Sequence, residues 1–176
     1  MPAPTVTFRI SIDPSLVPDG DINGLLAALA DFGPLLEELG EIMSEAQQDN
    51  FDSQGAVFGE PWAALSPSTL KEKERLGYPA TAMVRTGALR DAAGGAIAMD
   101  GDSVTAGFDE SLVPYATYHQ PAALGGSNSG GGRLPSRILV SFSAHEQDEM
   151  LQKVQDYLDN ASGSLPSGVS VTMEEV

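Results

Sequence analysis

Residues 35–50 read LLEELGEIMSEAQQDN, and the fold turns on the spacing inside that stretch. Leu36, Leu39, Met43 and Ala46 recur three and four residues apart, the spacing that gathers side chains into one stripe along an α-helix. The same spacing runs backwards through Leu25, Leu26, Leu29 and Phe32. A helical reading therefore covers residues 22–50, with Asp21 as a candidate N-cap. Pro34 cannot donate to the helical ladder. Two helices, or one kinked around residues 32–34, are expected. The second piece carries its acidic residues on the outer face.

Upstream, residues 5–13 alternate. Val6, Phe8, Ile10 and Ile12 point one way and Thr5, Thr7, Arg9 and Ser11 the other, the period of two that marks a strand. The breaker DPSLVPDGD, residues 13–21, ends it. Downstream, residues 51–80 read as a loop punctuated by Gly55, Gly59, Pro61 and Pro67. Within it a short helix is expected from Ser68, with Glu72 close to the capping-box position. A second short helix is expected near residues 83–92. Residues 96–108 read as a hairpin about Asp100-Gly101-Asp102, since Asp-Gly supplies the positive φ of tight turns. Residues 114–120 are expected to be a strand or its entry, and the glycine-rich residues 122–133 a flexible loop. Ser143 and Glu146 form a capping box before a last helix with an inner stripe of Met150, Leu151, Val154, Tyr157 and Leu158. The tail, residues 162–176, is either flexible or adds a short strand through Val169, Val171 and Met173. These elements add up to a single small α+β domain over residues 1–176, an antiparallel sheet packed with N-terminal helices and a C-terminal helix.

Composition narrows the function. The 176 residues include no cysteine, which removes disulfides, thiolate chemistry and sulfur-ligated zinc, and suits a reducing cytoplasm. The start, MPAPTVTFRI, lacks the charged and apolar regions of a secretory signal. No apolar run approaches the length of a membrane span, so no membrane partner is expected. With 25 acidic against 9 basic residues the net charge is −16, opposite in sign to the footprint of a tight nucleic-acid binder. No Lys or Arg lies between Arg9 and Lys71, a stretch that holds eleven Asp and Glu. Lys71, Lys73, Arg75, Arg85 and Arg90 then fall together. This asymmetry is either a solubilising surface or a dipolar subunit whose basic segment docks on the acidic face of a neighbour.

The search for chemistry comes up empty. His119, within YATYHQ, is the sole general-base candidate. A hydrolase would pair it with a serine such as Ser66, Ser68 or Ser136, yet no Gly-x-Ser-x-Gly elbow surrounds any of them. His119 and His145 share no ligand spacing, and the acidic run lacks the EF-hand pattern. The glycines of GGSNSGGG neither follow a strand nor end in Gly-Lys-Ser/Thr, so they make no phosphate loop. No catalytic residue, cofactor or metal ligand is expected, and the chain reads as a non-enzyme.

Four motifs follow one another in order: WAALSPSTL at residues 62–70, RTGALR at 85–90, YATYHQ at 115–120 and LPSR at 134–137. In this order the chain resembles the virion morphogenesis, or tail-completion, family of tailed bacteriophages over roughly residues 35–160. That family shows Trp-x-x-Leu-Ser-x-x-Thr, Thr-Gly-x-Leu, Tyr-Ala-x-x-His-Gln and Pro-x-Arg segments ahead of a last helix. Two departures stand out. Pro121-Ala122 and a long glycine loop follow Gln120 where the family places an early glycine. Ile138-Leu139-Val140 follow Arg137 where it places an aromatic-leucine-glycine turn.

The resemblance implies a structural virion protein at the neck or tail, made in the host cytoplasm, that completes the tail or joins it to the head. It implies a homo-oligomeric ring, six-fold or twelve-fold, in contact with connector or neck proteins and with tail-tube or terminator proteins. Genome DNA would pass without specific binding through a lumen whose carboxylates repel phosphate. The alternative readings are a tail terminator that stops tube growth and a small hydrolase using His119. Interface candidates are Trp62, Lys71, Lys73, Arg85, Arg90, Tyr115, Tyr118, His119 and Arg137. Read physically, Trp62 is first a core residue. Thr86 and Gly87 suit a helix start. Arg137 can fork onto a carboxylate within the subunit or across an interface.

Overall fold

The structure is a computed structural model that describes residues 6–12, 32–59, 61–95, 97–100, 103–108, 112–121, 128, 134–162 and 169–175. In chain order come strand β1 (Val6–Ile12), helix α1 (Gly33–Asp52), helix α2 (Pro67–Leu76), helix α3 (Ala88–Gly95), strands β2 (Ile97–Asp100) and β3 (Ser103–Ala106), helix α4 (Ala144–Ser162) and strand β4 (Val169–Glu175). Single 3-10 turns stand at Ala56–Phe58 and Ala116–Tyr118.

Helix α1 is the axis on which the rest packs. Leu35, Leu36, Leu39, Ile42, Met43 and Ala46 are buried along its inner face, as the spacing requires, while Glu37, Glu38, Glu41, Glu45 and Asp49 are exposed. Pro34 sits in the first turn, where its missing N–H is one the helix could not have bonded anyway. The helix piece expected before Phe32, with its Asp21 cap, lies outside the described residues.

Two apolar clusters flank α1, which also contacts α3, α4 and the β2–β3 hairpin. One joins α1 to Val104 and Ala106 of β3, to Val140 and Phe142, and to Met150, Val154 and Leu158 of α4. The other gathers Phe51, Trp62, Leu89, Ala93, Val113, Ala116 and Leu139. Leu139 thus enters one cluster and its neighbour Val140 the other. Phe51 and Trp62 meet edge to face, with ring centroids 5.1 Å apart and planes at 87°. Gly55, at φ 86°, brings the backbone so close to that indole that a Cβ there would lie 2.4 Å from Trp62 Cδ1.

The fold is dominated by helix, and the expected antiparallel sheet is corrected. Among the described residues there are, instead of one sheet, two separate two-stranded antiparallel ladders. In the hairpin, Asp100 pairs with Ser103, as expected of a hairpin about Asp100-Gly101-Asp102, and residues 101–102 themselves lie outside the described residues. The other ladder pairs β1 with β4, from Val6–Glu175 to Ile12–Val169. The strand expected in the tail therefore exists, and its partner is the first strand.

Three local readings shift. The first short helix begins at Pro67, not at Ser68, because Ser66 is the cap: its hydroxyl accepts from Thr69 N and Pro67 occupies the first turn. The second covers Ala88–Gly95 instead of residues 83–92, with Ala88 N directed at Thr86 Oγ1 at 3.4 Å. Residues 114–120 form no strand; they close into the 3-10 turn. The capping box of α4 forms as read, with Ser143 N donating to Glu146 Oε2 at 2.7 Å. Of the glycine loop, only Asn128 is described; it bridges to Pro121, and its amide donates to the Tyr118 and Leu134 carbonyls.

Candidate functional site

The motif residues converge on one stretch, residues 137–142. It is largely buried, bends at Val140 and belongs to no helix or ladder among the described residues, so its peptide groups need partners from elsewhere. Side-chain amides supply them. Gln120 Oε1 accepts from Leu139 N at 2.6 Å and Val140 N at 3.1 Å, and Gln120 Nε2 donates to Val140 O at 2.7 Å. From α1, Asn50 Nδ2 donates to the carbonyls of Ile138 (3.1 Å) and Leu139 (2.9 Å), and Gln47 Nε2 to that of Ser141 (3.2 Å). Trp62 Nε1 donates to Ile138 O at 2.9 Å. Arg137 N donates to His119 O at 2.8 Å.

Gln47, Asn50 and Gln120 were missed as functional positions. A signal existed for the two on α1: Gln47 and Asn50 stand four and seven residues after Met43, which places two amides on a stripe otherwise apolar.

Arg137 is only 6% exposed. Its terminal nitrogen donates to Ala63 O at 3.0 Å, its Nε has no partner, and it meets no carboxylate among the described residues. Burial lowers its pKa. Beside it, His119 donates from its ring to the Pro135 carbonyl while its Nδ1 is buried without a partner. Burial, then the neighbouring Arg137 charge, lower the His119 pKa, and the Pro135 bond opposes them only in part. No serine hydroxyl is bonded to His119 among the described residues; Ser66 Oγ is engaged by Thr69 N and by the hydroxyls of Ser68 and Thr69. The geometry offers no nucleophile–base pair around this imidazole.

His119 also lines a groove of about 390 Å³, floored by Met83, Val84 and Leu89 and edged by Lys73, Arg85 and Tyr115. Lys73 is held in place by the carbonyls of Pro79 (3.0 Å), Thr81 (2.6 Å) and Val84, which fasten α2 to the loop that follows it. Burial and the nearby Arg85 lower its pKa. Arg85 is exposed and lies over the Tyr78 ring, 4.7 Å from the centroid. Tyr115 is 45% exposed at the groove and Tyr118, outside it, 59%.

Among the nine interface candidates, then, Trp62, His119 and Arg137 meet at the buried stretch, and Lys73, Arg85, Tyr115 and His119 meet at the groove. Lys71 is exposed on α2. Arg90 pairs with Asp52 at 2.7 Å, away from the groove. Among the described residues no cluster of His, Asp or Glu could hold a metal, and no helix is long and apolar enough to cross a membrane.

The motif residues thus act as structural ties around one buried stretch. In the comparison with protein families, the phage virion morphogenesis family matches residues 19–159, and the chain belongs to it. No curated protein and no solved structure matches the chain.

Proposed function

We propose that this chain is a structural virion subunit of a tailed phage that completes the tail or joins it to the head, working as a ring around the channel through which DNA leaves. The carrying observation is the family match over residues 19–159. It is supported by the role of the motif residues. Trp62, Gln120 and Arg137 are bonded to backbone groups, not to one another in a reactive set. A net charge of −16 suits a wall past which the phosphate backbone slides without sticking. The ring's neighbours are the connector or neck on one side and the tail tube or its terminator on the other.

Electron microscopy of a lysate from a phage lacking this gene tests the reading. Filled heads beside separate tails of normal length are expected. Overlong tails would reassign the chain as a terminator, and normal infectious particles would overturn the virion role.

A further inference from the structure

In a chain with 25 acidic and 9 basic residues, the groove described above is an exception. Lys73 and Arg85 edge it, and no carboxylate lines it. Arg85 makes no ion pair among the described residues; only the Tyr78 ring lies against its guanidinium. Behind the groove wall formed by His119 stands Arg137, itself nine-tenths buried, with its Nε unpartnered. Lys73 gives its protons to carbonyls, which satisfies its hydrogen bonding but leaves its positive charge uncancelled. Three cations therefore stand in or beside one concave surface with no anion among the described residues to balance them.

The complementary feature lies on α1. Glu37, Glu41, Glu45 and Asp49 stand four residues apart in an exposed row, one helical turn between neighbours. Like charges at that spacing repel. Other carboxylates of the same helix are neutralised, Glu38 by Lys153 at 3.0 Å and Asp52 by Arg90. The row of four has no ion pair among the described residues.

We propose that the groove receives this carboxylate row from a second copy of the chain, so that each subunit holds the next head to tail. Donor row and receiving groove are built from different residues, which makes the contact heterologous. Such a contact repeats from subunit to subunit and closes into a ring when its rotation permits. Tyr115, exposed at the groove edge, supplies the amphipathic aromatic surface favoured at interface centres. The proposal rests on the ring reading and specifies the contact that would build it.

Sedimentation velocity on the purified full chain tests it. Wild type is expected to form an oligomer that weakens as salt rises. Arg85→Glu, and separately Glu41→Arg with Glu45→Arg, are each expected to weaken association about tenfold or more. An equal mixture of the two variants is expected to assemble again, because intact groove meets intact row and reversed groove meets reversed row. Circular dichroism checks that each variant is folded, and Arg85→Gln replaces Arg85→Glu if the reversal unfolds the chain. An oligomer indifferent to both variants overturns the groove contact while leaving the ring reading intact. A wild-type chain that stays monomeric at its highest soluble concentration overturns both.

Discussion

Gln120 pairs with Val140 as a neighbouring strand would. Its Oε1 accepts from Val140 N at 3.1 Å and its Nε2 donates to Val140 O at 2.7 Å. One side-chain amide thus stands in for a peptide group along a buried stretch that joins no ladder among the described residues. Gln120→Leu would fill similar space but strand the Leu139 and Val140 N–H groups and the Val140 carbonyl. Each buried unpaired group costs about 1–3 kcal/mol, and partial relaxation brings the expected loss to about 3 kcal/mol. Urea denaturation measures it. A loss below about 1 kcal/mol would show that water or a shifted backbone replaces the amide.

Gly55 and Gly59 separate conformational strain from steric exclusion. Both have nearly the same positive φ, 86° and 85°, yet a Cβ on Gly59 meets nothing within 4 Å while one on Gly55 collides with Trp62. Alanine at either position bears the left-handed penalty of about 1–2 kcal/mol. Gly55→Ala must also displace the indole that anchors Ile138, so its loss is expected to exceed that of Gly59→Ala by about 1 kcal/mol or more. Equal losses would mean that Trp62 moves freely.

Helix α2 is a lightly attached unit. None of its ten residues is buried, and a helix this short is marginal without packing. Lys73 holds it to residues 79–84 through three carbonyls. Lys73→Met is therefore expected to open α2 locally, with faster tryptic cleavage after Lys71 and Arg75, while the global urea midpoint hardly moves. Cleavage no faster than wild type would place the hold elsewhere.

The sequence disclosed what has a period and concealed what depends on partners distant along the chain. The α1 stripe, the Asp100 hairpin, the Ser143–Glu146 box and the first strand were legible because each rests on spacing within a few residues, while the tail strand was one of two readings left open. The union of β1 with β4 was not legible, since neither strand states its partner. Residues 137–142 could not be read as a buried irregular stretch, because what holds them comes from Gln47, Asn50, Trp62 and Gln120, distant in sequence. Ser68 was read as a cap because its spacing to Glu72 resembles a box, but Pro67 demands the first helical turn and hands the cap to Ser66. Trp62, His119 and Arg137 were singled out as interface candidates from their motifs, and the structure shows what else they do: they brace or border one buried strip.

His119 gives the fold a dependence on acid. Its pKa in the folded chain is lowered from the ordinary 6.5, first by burial and then by Arg137. Between the two values the unfolded chain holds a proton that the folded chain does not, so stability falls as pH drops through about 6.5. The loss is complete once pH lies below the folded value. The urea midpoint is expected to decline between about pH 7.5 and 5.5, and His119→Gln to flatten that decline. An unchanged slope in the variant would assign the dependence to other groups.

Arg137 allows a test in which stability and assembly move apart. Its charge is buried, its side chain donates one hydrogen bond among the described residues, to Ala63 O, and Ala63 is itself an exposed residue. An arginine kept only to brace the fold would be a poor choice here, because a buried guanidinium without a carboxylate costs more in lost hydration than one neutral bond returns. Arg137→Met keeps the aliphatic bulk and removes the charge. It is expected to leave the urea midpoint within about 1 kcal/mol of wild type, or to raise it. If the charge serves a neighbour's carboxylates, the same variant, supplied in trans to a phage lacking the gene, gives fewer infectious particles than the wild-type chain. A variant that is several kcal/mol less stable would make Arg137 a brace of the fold, and one that is stable and fully complementing would remove it from the contact.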